Sequence, residues 1–210
     1  MGVIVLTNFE KLGVRPCQAG FCSFLTCISH FGHKNILSYD NRPFIDVEEH
    51  DEELIRRWNE AVDCDDDVWI LGDISWHGAM KTIEIFNRLN GVKHICVGNH
   101  DAKLLRNEDV RKLFVEIVPY KEIQFNANKG IVLCHYPIPC YNNHYYGWYH
   151  LYGHVHISWE WNMMEHLQRE MRDLYGKQSN MYNVGCMIPY MDYTPKTLDQ
   201  IIEDSKEYYK

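Results

Sequence analysis

Five short apolar runs, each closed by a knot of Gly, His, Asp or Asn, constrain this chain more than any other feature. They are Phe24–Ile28, Val68–Leu71, His94–Val97, Gly130–Cys134 and His150–Tyr152. Each is too short for a helix and rich in β-branched or aromatic residues, so each reads as a buried strand. Helical patterns separate the earlier runs. Val47–Val62 carries Leu54, Ile55, Trp58 and Val62 at helical spacing, with acidic residues in its first turn that suit the helix dipole. Met80–Leu89 places Ile83, Phe86 and Leu89 on one face and stops at Asn90-Gly91. Lys103–Phe114 is a shorter helical candidate. Further on, Asn162–Tyr175 predicts a helix, Asn180–Gly185 a late strand, and Leu198–Glu207 a closing helix. Strand and helix in alternation predict a layered α/β domain with helices packed on sheets.

The chain is 210 residues long, enough for one domain with a substantial core. No internal repeat or low-complexity linker divides it, so residues 24–210 are expected to form a single domain. Residues 1–23 form an atypical N-terminal segment. Val3–Thr7 resembles a strand of its own, and Asn8–Gly20 carries no clear signal. None of the eight cysteines forms a Cys-x-x-Cys pair, and Cys17, Cys22 and Cys27 recur at intervals of five, unlike zinc-ligand spacing. Cys96, Cys134 and Cys186 sit in apolar runs, as small core thiols do. No run of about 18 apolar residues is present, nor a basic segment leading into an apolar one, so a cytoplasmic protein without membrane attachment is expected. The formal charge of −8 argues against polymeric nucleic acid and anionic membranes as partners. It is compatible with bound cations. Oligomeric state is not legible.

The residues that follow the strands carry the chemistry. Ser29-His30-Phe31-Gly32-His33 follows the first, Gly72-Asp73 the second, Gly98-Asn99-His100-Asp101 the third, His135 the fourth and Gly153-His154-Val155-His156 the fifth. Ligand sites of open α/β sheets lie outside the carboxyl ends of the strands, so these groups are expected to converge on one edge. Imidazole, carboxylate and amide oxygen together suit Mn²⁺, Fe or Zn²⁺, and Asp73 can bridge two ions through its two oxygens. Glycine before Asp73, Asn99 and His154 relieves crowding and aims the next side chain. Alternation along an extended chain would turn His154 and His156 to one side. One histidine after a strand is usually a hydrogen-bonded structural residue; five such signals in order point to a metal site. The aromatic stretch Tyr141–Tyr149 could stack bases, although a loop packed partly on the core is the favoured reading.

In these pieces the sequence resembles the calcineurin-like metallophosphoesterase family, in its small single-domain bacterial and phage form. The matching segments are Ser29–Ile36, Leu71-Gly72-Asp73, Gly98–Asp101, His135-Tyr136-Pro137, Gly153–His156 and Asn183-Val184-Gly185. The resemblance implies a four-layer α/β/β/α sandwich and hydrolysis of a small phosphate mono- or diester at two divalent metals, Mn²⁺ first, with Fe or Zn²⁺ as alternatives. It implies His30 and His156 on the first metal and Asn99, His135 and His154 on the second, with Asp73 bridging. His100 would be the general acid, held by Asp101; no role transfers to His33. The sequence departs from the family at Ile28, where the family has a ligating Asp. A weakened first site, a mononuclear centre, or a scaffold that binds metal or phosphate without turnover, is the alternative expectation.

Overall fold

The structure is a computed structural model, described here for residues 23–26, 29–176 and 179–208. The expected strand at Val3–Thr7, the stretch Asn8–Gly20, Cys17, Cys22, Cys27 and Ile28 all lie outside the described residues. Nine strands form two sheets among these residues. The first sheet comprises β1 (Ser23–Thr26), β2 (Asp67–Ile70), β3 (Val92–Cys96), β4 (Glu116–Val118) and β9 (Lys196–Thr197), in the order β4-β3-β2-β1-β9. Its first four strands run parallel, and only β9 runs against β1. The second sheet comprises β5 (Tyr120–Asn126), β6 (Lys129–Cys134), β7 (Tyr149–Tyr152) and β8 (Met181–Asn183) in that order. Here β5 and β6 form a hairpin and the remaining pairs are parallel. The protein is therefore mixed α/β, as its alternating pattern predicts.

The helices are α1 (Ile36–Tyr39), α2 (Val47–Ala61), α3 (Ala79–Phe86), α4 (Glu108–Arg111), α5 (Trp159–Tyr175) and α6 (Leu198–Tyr208). Asp46 caps α2 by accepting the N–H of Glu49 at 2.8 Å, while Glu49 accepts the N–H of Ile45 at 2.6 Å. This reciprocal pair satisfies two backbone donors at a helix start. Lys103–Phe114 is not one helix: a 3₁₀ turn at Leu104–Arg106 precedes α4, which Asn107 caps. Asn107 competes for the backbone as a cap and so splits the segment.

Successive residues of β2 face opposite ways, which sorts the core into two clusters. Val68 and Ile70 pack with Leu54, Ile55, Trp58, Ile85 and Phe86 from α2 and α3. Trp69 and Leu71 pack instead with Ile131, Leu133 and Leu151 of the second sheet, a cluster that also takes Trp161 and Met164 from α5 and Ile201 from α6. Burying one such large apolar side chain contributes about 2 kcal/mol. Sequence reading missed β4, β5 and β9. For β5 a signal was present, since Ile123 and Phe125 alternate with exposed residues before the turn at Ala127-Asn128. Parallel β1, β2 and β3 end in register, as do β6 and β7, so the loops after them share one end of the molecule. Among the described residues no helix is long and apolar enough to cross a membrane.

Candidate metal centre

Three of the expected ligands sit in the left-handed region of backbone space: His30 (φ 52°), Asp73 (φ 51°) and His154 (φ 50°). A side chain there costs about 1 kcal/mol or more, and such strain gathers at functional sites. Each residue comes just after its strand and turns its side chain into a common cleft of about 330 Å³, which His33, Trp76, His100 and His156 also line. His154 and His156 do reach one cleft, but the left-handed turn at His154 achieves this, since β7 has already ended at Tyr152. Two glycines let the loops meet. A Cβ on Gly72 (φ 88°) would lie 2.5 Å from the backbone nitrogen of Gly98, and one on Gly98 would collide with the Asp73 carboxylate.

At the centre is His135, buried, with its Nδ1 2.7 Å from the carbonyl oxygen of Leu71. That bond commits Nδ1–H and leaves Nε2 with a lone pair. Around Nε2 stand Asn99 Oδ1 at 2.9 Å, His154 Nδ1 at 3.1 Å and Asp73 Oδ2 at 3.6 Å. Ligand atoms of Asp73, His135 and His154 all lie within 4.8 Å of one another. Lone pairs gathered this closely repel unless a proton or cation lies among them. On the other side of Asp73, its Oδ2 is 3.9 Å from Nε2 of His30, a buried nitrogen with no hydrogen-bond partner among the described residues. A buried polar atom left in this way is costly, and a cation would satisfy it. The donor set of Asp73, His135 and His154 thus fits a divalent metal ion, and His30 presents an unsatisfied nitrogen on the far side of Asp73.

Electrostatics favour the neutral form of three imidazoles, His30, His33 and His154. Burial, followed by the nearby Arg42 and His156, holds His30 well below the ordinary imidazole range. Burial and then His135 lower His154, against the pull of Asp73. Burial and Arg42 also lower His33, whose ring stacks on Trp76 at 4.3 Å.

The expected residues divide by position. His30, Asp73, Asn99, His135, His154 and His156 are brought together around one cleft, and His100 lies on its rim with its ring 4.7 Å from that of Trp76. Asp101 is placed otherwise. Its buried carboxylate accepts the backbone N–H groups of Asp73 (2.9 Å), Ile74 (2.9 Å) and Gly98 (2.7 Å), so it braces the turns that carry Asp73 and Asn99 rather than the His100 ring. Burial raises its pKa, with those N–H groups opposing. Asn183 acts similarly, donating to the carbonyl of Val155 at 2.6 Å between the two loop histidines.

Sequence reading missed a buried polar network behind the cleft. The Asp40 carboxylate lies 2.9 Å from Nδ1 of His156 and accepts two hydrogen bonds from Arg42. Arg42 donates to the carbonyl of Ser29 and to Nε2 of His50, whose Nδ1 is 2.9 Å from Asp51. Asp51 accepts the N–H of Gly32 and faces Nε2 of His77 at 2.8 Å. Burial pushes Asp40 up, but His156 and Arg42 outweigh it and hold the carboxyl below its usual range. The only sequence signal was a pair of charged residues, Asp40 and Arg42, flanking a turn.

The chain is 32% identical over 182 residues to "Uncharacterized protein MJ1445" of Methanocaldococcus jannaschii, covering 86% of this chain and 89% of that protein. The chain belongs to the MJ1445 family. Another relative of this MJ1445 family member is the gene 66 protein of Mycobacterium phage L5, 38% identical over 94 residues, which is 43% of this chain and 45% of the phage protein. Among solved structures, that of AQ665, a protein of unknown function from Aquifex aeolicus, superposes with a TM-score of 0.62 at 23% identity, covering 86% of this chain and 97% of that one. This likeness shows a shared fold. No family model matches the sequence.

The aromatic stretch Tyr141–Tyr149 is a loop packed partly on the core. Tyr141 and Trp148 are buried in the core, where the Tyr141 hydroxyl donates to the Trp148 carbonyl at 2.7 Å; Tyr145 and Tyr146 are exposed. Cys64, Cys96, Cys134 and Cys140 are free thiols.

Proposed function

We propose that this protein hydrolyses a phosphate ester with the help of two divalent metal ions, as its resemblance to calcineurin-like metallophosphoesterases implies. The observation that carries the reading is the convergence of acceptor atoms on both sides of Asp73: His135 Nε2, Asn99 Oδ1 and His154 Nδ1 on one side, and on the other the Nε2 of His30, which has no hydrogen-bond partner among the described residues. His156 completes the second group, its Nδ1 engaged by Asp40 and its Nε2 left for a ligand. Two sheets sharing a core cluster, with helices packed beyond it, support the four-layer sandwich that the family implies. Bound cations, Mn²⁺ first in this donor set, would polarise a phosphoryl oxygen and acidify water near neutral pH.

The protein's own residues supply position and protons. Asp73 is fixed by the N–H of His100 at its Oδ1 (2.9 Å), so a single carboxylate ties the ligand set to the rim of the cleft. His100 protonates the oxygen of the departing group, and its exposure lets it regain a proton from water. The substrate is a small phosphorylated molecule. Hydrolysis of bis-p-nitrophenyl phosphate by metal-stripped protein, with and without added Mn²⁺, tests the reading. Activity that needs the metal and disappears in His154→Ala is the expected result; no turnover from folded, Mn²⁺-loaded protein would refute it. A second reading, a metal- or phosphate-binding scaffold, is favoured by Ile28 at the position of a family ligand.

A further inference from the structure

A second cleft, of about 610 Å³, adjoins the metal cleft and shares with it the walls Trp76 and His100. On the far side of His100 it is lined by Lys103, Arg106 and Asn107. Lys103 precedes the 3₁₀ turn Leu104–Arg106, in which residues three apart lie one above the other. Their two positive charges therefore stand on one side of the turn, while Leu104 and Leu105 are buried in the core and anchor it. The N–H of Leu105 bonds the carbonyl of Asp101 at 2.9 Å, which ties this turn to the loop of the metal centre. Among the described residues neither Lys103 nor Arg106 pairs with a carboxylate, and the neighbouring Asp109 is taken by Lys112. Two exposed cations on one wall of a cleft, in a chain of net charge −8, give that wall a local positive potential that favours an anion.

We infer that the cleft beyond His100 seats a second phosphate of the substrate, held by Lys103 and Arg106. This rests on the hydrolytic reading for its direction. If His100 protonates the departing oxygen, the remainder of the leaving group lies on the far side of His100, in this second cleft. The substrate class is then a small molecule with two phosphate groups, one cleaved at the metals and one retained on the leaving group.

The test compares adenosine 3′,5′-bisphosphate with adenosine 5′-monophosphate by titration calorimetry on Mn²⁺-supplemented protein. The wild type is expected to bind the bisphosphate at least about tenfold tighter, an advantage that shrinks as salt is raised. In the Lys103→Ala/Arg106→Ala variant, both exposed positions, that ratio should fall to within about threefold of unity. An equal ratio in variant and wild type overturns the inference, and so does a wild type that does not distinguish the two nucleotides. Hydrolysis of bis-p-nitrophenyl phosphate by the wild type is measured separately. A charge-dependent ratio without turnover would keep the phosphate subsite and remove the hydrolytic reading.

Discussion

The carboxylate of Asp40 lies 2.9 Å from Nδ1 of His156, 116 positions later in the chain. A carboxylate behind an imidazole fixes the ring's tautomer and orientation and raises the basicity of its other nitrogen. Asp40 is itself held by the buried guanidinium of Arg42. Asp40→Asn keeps an acceptor but removes the charge. It is expected to lower Mn²⁺ affinity by roughly 10- to 100-fold and to destabilise the fold by about 3 kcal/mol, because Arg42 loses its counter-charge. Metal titration and urea denaturation separate the two effects. Unchanged affinity in a less stable protein would reduce Asp40 to a structural partner of Arg42.

Asp101 makes a different prediction. Removing its carboxylate in Asp101→Ala strands the N–H groups of Gly98, Asp73 and Ile74. At about 1–3 kcal/mol for each buried unpaired donor, a loss near 4 kcal/mol is expected by urea denaturation, accompanied by loss of metal binding. A loss below about 1 kcal/mol would show that the turns hold themselves without the brace.

Stability should fall on mild acidification. His150 is fully buried, with Nδ1 3.0 Å from the carbonyl of Val132 and Nε2 accepting the N–H of Ile138, and burial lowers its pKa to about 4. The unfolded chain therefore takes up this proton at about pH 6.5 while the folded chain resists until about pH 4. Stability is complete above the unfolded value and is lost between the two, by about 2 kcal/mol at pH 5. His30, His33 and His154, lowered in the same direction, add to the loss. Urea denaturation at pH 7 and pH 5 checks the sign; equal stability at both would contradict a neutral buried His150.

Ile28 offers a gain-of-function experiment. Introducing at position 28 the carboxylate that calcineurin-like phosphoesterases carry, in Ile28→Asp, is expected to raise Mn²⁺-dependent hydrolysis of bis-p-nitrophenyl phosphate by about tenfold or more, since a further anionic ligand would strengthen the proposed metal site. A zero rate in both this variant and the wild type would favour the scaffold.

Much of the site was legible because strand ends and ligands coincide in sequence. His30, Asp73, Asn99, His135, His154 and His156 each follow an apolar run within a few residues, and parallel pairing brings those ends together. Asp40, His50 and Asp51 were not legible. Asp40 follows a four-residue helix, and His50 and Asp51 lie in the first half of α2, where polar residues ordinarily face solvent. Trp76 was equally hidden: nothing in Ser75-Trp76-His77 says that the indole will stack on His33 and His30 and lie tilted against His100.

The sequence by itself determined the alternation of strands and helices, the faces they bury, and the types of ligand that close each strand. These are local properties, set by side-chain period and backbone freedom within a few residues. Only the tertiary structure decided which carboxylate serves which imidazole. Asp101 turns to three backbone N–H groups, and Asp40 crosses the molecule to His156, because a buried charge settles wherever packing supplies enough donors to replace water.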